Sequence, residues 1–246
     1  MKRIALLLFI LHSSLFVLRS FAQRQIITER VEVTNQLDTN PDAAAQSIME
    51  KYKPAVDSVM APVLGRSLVP MSAGRPESLL SNWAADVMME FSDVIDGQKA
   101  DFGLVNMGGL RNNMPEGTVR RGNILLISPF DNRLTIVRLQ GSDLLCLFQE
   151  IAAVHGEGVS HEVKLVITAD GKLADAKVCG QPVDPERIYR IATLDYLAEG
   201  NDRLYSLKKD PKPAVSNLFT RDCMMQSIER AGTITSQIEG RITVQP

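Results

Sequence analysis

Asn106-Met-Gly-Gly-Leu-Arg111 follows the short apolar run Phe102 to Val105, and Ser128-Pro-Phe-Asp-Asn132 comes after it with another apolar run, Ile124 to Ile127, in front. An Asn, two glycines and an Arg after a buried strand predict a turn with no Cβ bulk at its centre and an amide and a guanidinium on one rim. Such a rim suits an anionic ligand, although a structural turn with an exposed Arg uses the same residues. If Phe102 to Val105 is a central strand, Asn106 lies at its C-terminal end, where open α/β sheets bind ligands.

Upstream, Leu80, Trp83, Ala84, Val87, Met88, Phe91, Val94 and Ile95 make one apolar stripe, which predicts a buried helix within Ser72 to Ile95. Ala73-Gly-Arg-Pro-Glu77 puts Arg75 in the turn before that helix, where unpaired N–H groups and the helix dipole favour an anion. Arg75 is either a surface residue or half of a phosphate clamp. Further back, Ala45, Ile48, Met49, Tyr52, Val56, Val59 and Met60 recur at helical spacing, with a start at Asn40 or Asp42 and a kink or division expected at Pro54. Residues 23–40 read as an extended segment, and Gly65 to Pro70 as a short strand or crossover. At the N-terminus, Met1-Lys-Arg3, an apolar run from Ile4 to Leu18 and small residues at Ser20 and Ala22 predict a signal peptide over residues 1–22. A membrane anchor needs about 20 apolar residues, more than this run offers. Export to the periplasm or secretion is therefore the expected localisation.

Downstream, Arg111 to Arg121 reads as a polar loop turning at Pro115-Glu-Gly117. Leu134 to Leu139 reads as a strand, and Gly141-Ser-Asp143 opens a helix carrying Leu144, Leu147, Phe148 and Ile151. Val163 to Thr168 and Leu173 to Val178 form a hairpin about Asp170-Gly171, and Ile188 to Leu194 is a strand ending in Asp195-Tyr-Leu-Ala-Glu-Gly-Asn-Asp202. A helix from about Asn217 to Ala231 and a strand near Ile238 to Val244 complete a mixed α and β pattern, neither a doubly wound sheet nor a barrel.

The 246 residues carry 27 basic and 29 acidic side chains without blocks, for a net charge of −2. Neither a polymeric nucleic acid track nor a membrane-surface patch is indicated. Cys146, Cys179 and Cys223 lie far apart among apolar neighbours, so a disulfide framework is not what stabilises the chain, and either one bridge or buried free thiols would fit.

Taken in order, Asn106 to Arg111, Ser128 to Asn132, Asp170-Gly-Lys-Leu173, Tyr189-Arg-Ile-Ala-Thr-Leu194 and Asp195 to Asp202 resemble the C-terminal domain of the 5′-nucleotidase family. That family includes bacterial periplasmic 5′-nucleotidase/UDP-sugar hydrolases and animal ecto-5′-nucleotidases. The resemblance implies an α+β, layered α/β/β/α fold over residues 65–246, preceded by an extension and helix over 23–64. It further implies that this domain grips a nucleotide while a separate metallophosphatase domain holds two divalent metals and does the chemistry. Carried over by motif, Arg75 and Arg111 would address phosphate. Asn106 and Asn132 would hydrogen-bond the ligand, Phe130 and Tyr196 would sandwich the base, and Asp202 would take the ribose hydroxyls.

The last motif departs from the family's Gly-Gly-Asp-Gly, reading Gly200-Asn-Asp-Arg203 here; Asn201 is a mild change, because Asn tolerates positive φ, and Arg203 a larger one. The family's metal-binding Asp-x-His and Gly-Asn-His motifs do not occur. After the signal segment the only histidines are His155 and His161, and no Gly-x-Ser-x-Gly elbow is present. No catalytic residue, metal ligand or cofactor is therefore expected in this chain. One expectation is the substrate-binding half of a split 5′-nucleotidase whose metallophosphatase is a separate exported subunit. The alternative is a non-catalytic exported nucleotide- or nucleoside-binding protein.

Overall fold

The structure is a computed structural model that describes residues 27–39 and 41–245. The signal segment, the start of the extension and Asn40 lie outside those residues. The chain divides into Met1–Lys51 and a compact unit, Tyr52–Pro246. Before the compact unit, residues 27–34 form neither helix nor strand, and Asn35–Thr39, expected as part of an extended segment, is a 3-10 helix.

The first α-helix is Ala43–Met60, begun by Asp42, whose Oδ1 accepts the Ala45 N–H at 2.8 Å. It runs unbroken through Pro54, so the proline does not divide it. The carbonyl that loses its partner at Pro54 lies on a solvent-exposed helix, where water can satisfy it.

Three sheets make up the β structure. In the five-stranded central sheet the order is Ala214–Phe219, Arg133–Gln140, Ile188–Leu194, Phe102–Val105, Gly158–Val159. A three-stranded sheet sets Val63–Ser67 between Thr233–Ile234 and Gly117–Arg120, and a four-stranded sheet carries the Val163–Thr168 and Leu173–Val178 hairpin beside Ile242–Gln245 and Gln181–Pro182. All three combine parallel and antiparallel pairing, giving the expected α+β class with mixed sheets.

Several sequence expectations shift. The buried helix is Leu79–Glu90, shorter than Ser72 to Ile95, because Ser78 and Ser81 form a reciprocal cap that starts it. Phe91 ends it, and Val94 falls in the following turn and is exposed. The apolar run Ile124 to Ile127 belongs to the helix Arg121–Ile127, with Ile124 and Ile127 buried and Leu126 exposed, a spacing of three that a four-residue run had hidden. Gly117–Arg120, read as loop, is a strand that pairs with Val63–Ser67. The residues from Ala214 to Phe219 form an edge strand, which delays the final helix to Thr220–Ala231. None of the cysteines is bridged. Only Cys223 is buried, and burial pushes its thiol up to about 12. Cys146 faces solvent from the helix Gly141–Ala153, and Cys179 is exposed in a turn at φ 51°.

The central sheet positions the site. Phe102–Val105 and Ile188–Leu194 run parallel, so both C-terminal ends open on one edge. Arg133–Gln140 is antiparallel to Ile188–Leu194 and pairs Leu134 with Leu194, bringing its preceding loop to the same edge. Leu79–Glu90 packs against Phe102–Val105, and the fully buried Leu80, Phe102, Leu104, Leu134, Ile136 and Phe148 hold these strands in one apolar core.

Candidate functional site

At that edge lies a cavity of about 270 Å³ lined by Asn106, Gly108, Gly109, Arg111, Phe130, Asn132, Tyr196 and Asp202. Six of the seven residues read from the sequence therefore share one concavity. The turn after Phe102–Val105 is a single 3-10 turn, Met107–Gly109, begun at Asn106. Asn106 is buried and donates through Nδ2 to Asp202 Oδ2, while its Oδ1 is buried without a partner among the described residues. A Cβ on Gly109 would come within 2.6 Å of that Oδ1, so glycine is what lets the amide sit against the turn.

Arg111 donates through Nη1 to the Gly108 carbonyl at 3.1 Å, and its Cζ lies 5.8 Å from the centre of the Phe130 ring. It is exposed, and its other N–H groups remain open to a ligand. Phe130 and Tyr196 are 42% and 40% exposed, unusual for aromatic rings beside a core this well buried. The loop carrying Phe130 is fixed by Arg221, which pairs with Asp131 and donates to the Phe130 carbonyl at 3.2 Å. The backbone carbonyl of Asn132 accepts the Thr220 N–H at 2.8 Å.

Asp202 is held from two sides, since Tyr196 Oη donates to its Oδ1 at 2.9 Å while Asn106 takes the other oxygen. That hydrogen bond favours the neutral phenol and raises Tyr196 above the usual tyrosine range. The anticipated role for Asn201 changes. Positive φ falls at Gly200 (76°), Asp202 (54°) and Arg203 (66°), and Asn201 instead donates its side-chain amide to the Tyr196 carbonyl at 2.7 Å.

Arg75 lies outside the cavity lining. Its guanidinium pairs with Glu157, a buried carboxylate that also accepts the Met107 N–H. Burial pushes Glu157 above the usual carboxylate range, while Met107 and Arg75 pull it back. Neither Glu157 nor Arg221 is marked in the sequence by a motif, although Glu157 stands between Gly156 and Gly158, a spacing that allows close packing on both sides.

His155 follows the helix Gly141–Ala153 in the left-handed region, and His161 sits between Asp86 and Glu162, with Nε2 to Glu162 at 3.1 Å. Among the described residues no group of three or more His, Cys, Asp or Glu side chains is placed to hold a metal ion, and no helix is long and apolar enough to cross a membrane.

A family model described as "5'-nucleotidase, C-terminal domain" matches residues 61–209. Among solved structures, the 5′-nucleotidase precursor of Thermus thermophilus superposes with a TM-score of 0.72 at 22% identity, over 82% of this chain and 43% of that one. The NAD nucleotidase of Haemophilus influenzae gives 0.63 at 18% identity, over 88% and 46%. At these identities the likeness shows the fold. Among curated proteins, the chain is 27% identical to endonuclease YhcR of Bacillus subtilis over 89% of its own length and 18% of that protein. It is 32% identical to protein UshA of Escherichia coli over 50% of its length and 22% of that protein. The chain thus spans about a fifth of the length of these curated relatives.

Proposed function

The chain belongs to the 5′-nucleotidase C-terminal domain family, and from that premise we propose that it is the nucleotide-recognition half of a 5′-nucleotidase-type phosphohydrolase. Catalysis is supplied by a separate metallophosphatase subunit that carries the divalent metals, and both act in the periplasm or outside the cell. The observation that carries this reading is the joining of two half-exposed rings, Phe130 and Tyr196, with an open guanidinium, Arg111, and a carboxylate, Asp202, around one cavity. A base needs an apolar face to stack on, a ribose needs an acceptor for its hydroxyls, and a phosphate needs a fork of charged donors; the lining of the cavity offers all three chemistries.

In this role Asn106 and Asn132 hydrogen-bond the ligand, and Arg75 and Arg111 address its phosphate. The chain itself binds and orients. The test is phosphate release from AMP by the purified chain, with and without added Mn²⁺ or Zn²⁺, beside a binding titration on the same sample. Binding without metal-stimulated release is the expected result. Robust metal-dependent release by this chain alone would contradict the division of labour.

A further inference from the structure

We propose that Glu157 is a positioning residue for the phosphate end of the site, holding Arg75 at a fixed place beside the Asn106–Arg111 turn; this rests on the reading above that Arg75 addresses phosphate. Glu157 is 2% exposed and uses both carboxylate oxygens, Oε1 for an Arg75 Nη2–H and Oε2 for the Met107 backbone N–H. One side chain thereby ties the cation to the turn that supplies Asn106, Gly108 and Gly109 to the cavity. The loop bearing Glu157 is itself pressed against the residue after Arg75. Gly156 stands at φ 112°, and a Cβ there would lie 2.4 Å from the Pro76 carbonyl oxygen.

The pairing uses only one end of the guanidinium. Arg75 keeps its side chain 39% exposed, and among the described residues it makes no hydrogen bond besides the one to Glu157. A guanidinium has five N–H donors in a planar fork, so most of them remain to face an anion. A long, flexible side chain loses rotamer freedom when it binds, and fixing it beforehand from the buried side reduces that cost. The charges that act on Glu157 are Arg75 and Asp202; the latter disfavours the ionised carboxylate, and Arg75 is the cation that offsets it. A carboxylate that merely cancelled Arg75 would act in the opposite direction, since its removal would strengthen phosphate binding.

The experiment is calorimetric titration of the whole chain with AMP and with adenosine, for the wild type, Glu157→Gln, Arg75→Ala and the double variant. Gln keeps an acceptor for the Met107 N–H and loses the charge that holds Arg75. Glu157→Gln is expected to weaken AMP by about five- to tenfold and to leave adenosine within about twofold. In the Arg75→Ala background the same change should have no further effect, because Glu157 acts through Arg75. Equal loss for both ligands, an unchanged or tighter AMP affinity, or an effect that persists without Arg75 would overturn the proposal. If Arg75→Ala itself leaves the AMP-to-adenosine ratio unchanged, the phosphate role of Arg75 falls and the positioning role with it. A selective Arg75→Ala with a silent Glu157→Gln overturns the positioning role alone. Should Glu157→Gln melt below the assay temperature, Glu157→Asp, which keeps the buried charge and withdraws it by one methylene, is judged by the same results.

Discussion

Two turns frame the cavity and solve the same backbone problem differently. At Met107–Gly109 the chain uses glycine where another side chain would collide, since a Cβ on Gly109 would come within 2.6 Å of Asn106 Oδ1. At Gly200 to Arg203 it holds two non-glycine residues, Asp202 at φ 54° and Arg203 at φ 66°, in the left-handed region. Asp tolerates that region, whereas an Arg gains nothing local from it. The first turn is therefore sterically tight but relaxed, and the second is strained at Asp202 and Arg203. Strain of this kind persists where the surroundings over-determine it, and here Asp202 is fixed by Tyr196 and Asn106.

Breaking the tight turn should have the largest consequence. Gly109→Ala pushes Asn106 off Asp202, and is expected to cost about 1–3 kcal/mol in stability and to weaken ligand binding tenfold or more, read from melting curves and titration together. Unchanged binding would mean that the Asn106–Asp202 pair is not part of the site. Relaxing the strained turn should do far less. Arg203→Gly removes strain of about 1 kcal/mol but gives the unfolded chain more freedom, so a net gain of roughly 0.5 kcal/mol and little change in affinity are expected from denaturant unfolding. A loss of stability would show that the Arg203 side chain contributes more than its backbone costs.

The smallest effect concerns pH. The raised Glu157 contributes stability that is complete below the ordinary glutamate range and is lost as pH climbs through its higher folded-state value. Melting temperatures followed between about pH 4 and 7 should therefore fall for the wild type relative to Glu157→Gln as pH rises. A difference that stays flat, or moves the other way, would place Glu157 in a less desolvated setting.

Much of this was legible in the residues. The hairpin Val163–Thr168 and Leu173–Val178, the helix Gly141–Ala153 and the strands that end at Asn106 and Asp195 announce themselves by period and by turn chemistry. Six of the seven candidate residues line one cavity because their motifs sit at strand ends, and strand ends are where pairing direction forces a common edge. What stayed hidden depends on contacts distant in sequence. Glu157 meets Arg75 across 82 positions and Met107 across 50, and nothing local marks a buried acid as paired. Arg221 reaches the Phe130 carbonyl across 91 positions. The four apolar residues Ile124 to Ile127 fit strand and helix alike, and only their packing decides for helix. Likewise the apolar stripe of Ala43–Met60 has the period of a buried helix, yet Ile48, Met49, Val56 and Val59 are exposed.

The most direct test of the proposed nucleotide site is titration of the wild type, Phe130→Ala and Arg111→Ala with adenosine and with AMP at two salt concentrations. Phe130→Ala should weaken both ligands by about 1–3 kcal/mol, roughly ten- to a hundredfold, with little dependence on salt. Arg111→Ala should weaken AMP more than adenosine, by a margin that shrinks as salt rises. Absence of wild-type binding, equal losses for both ligands at Arg111, or losses that only follow a falling melting temperature would mean that these residues hold the fold and not a nucleotide.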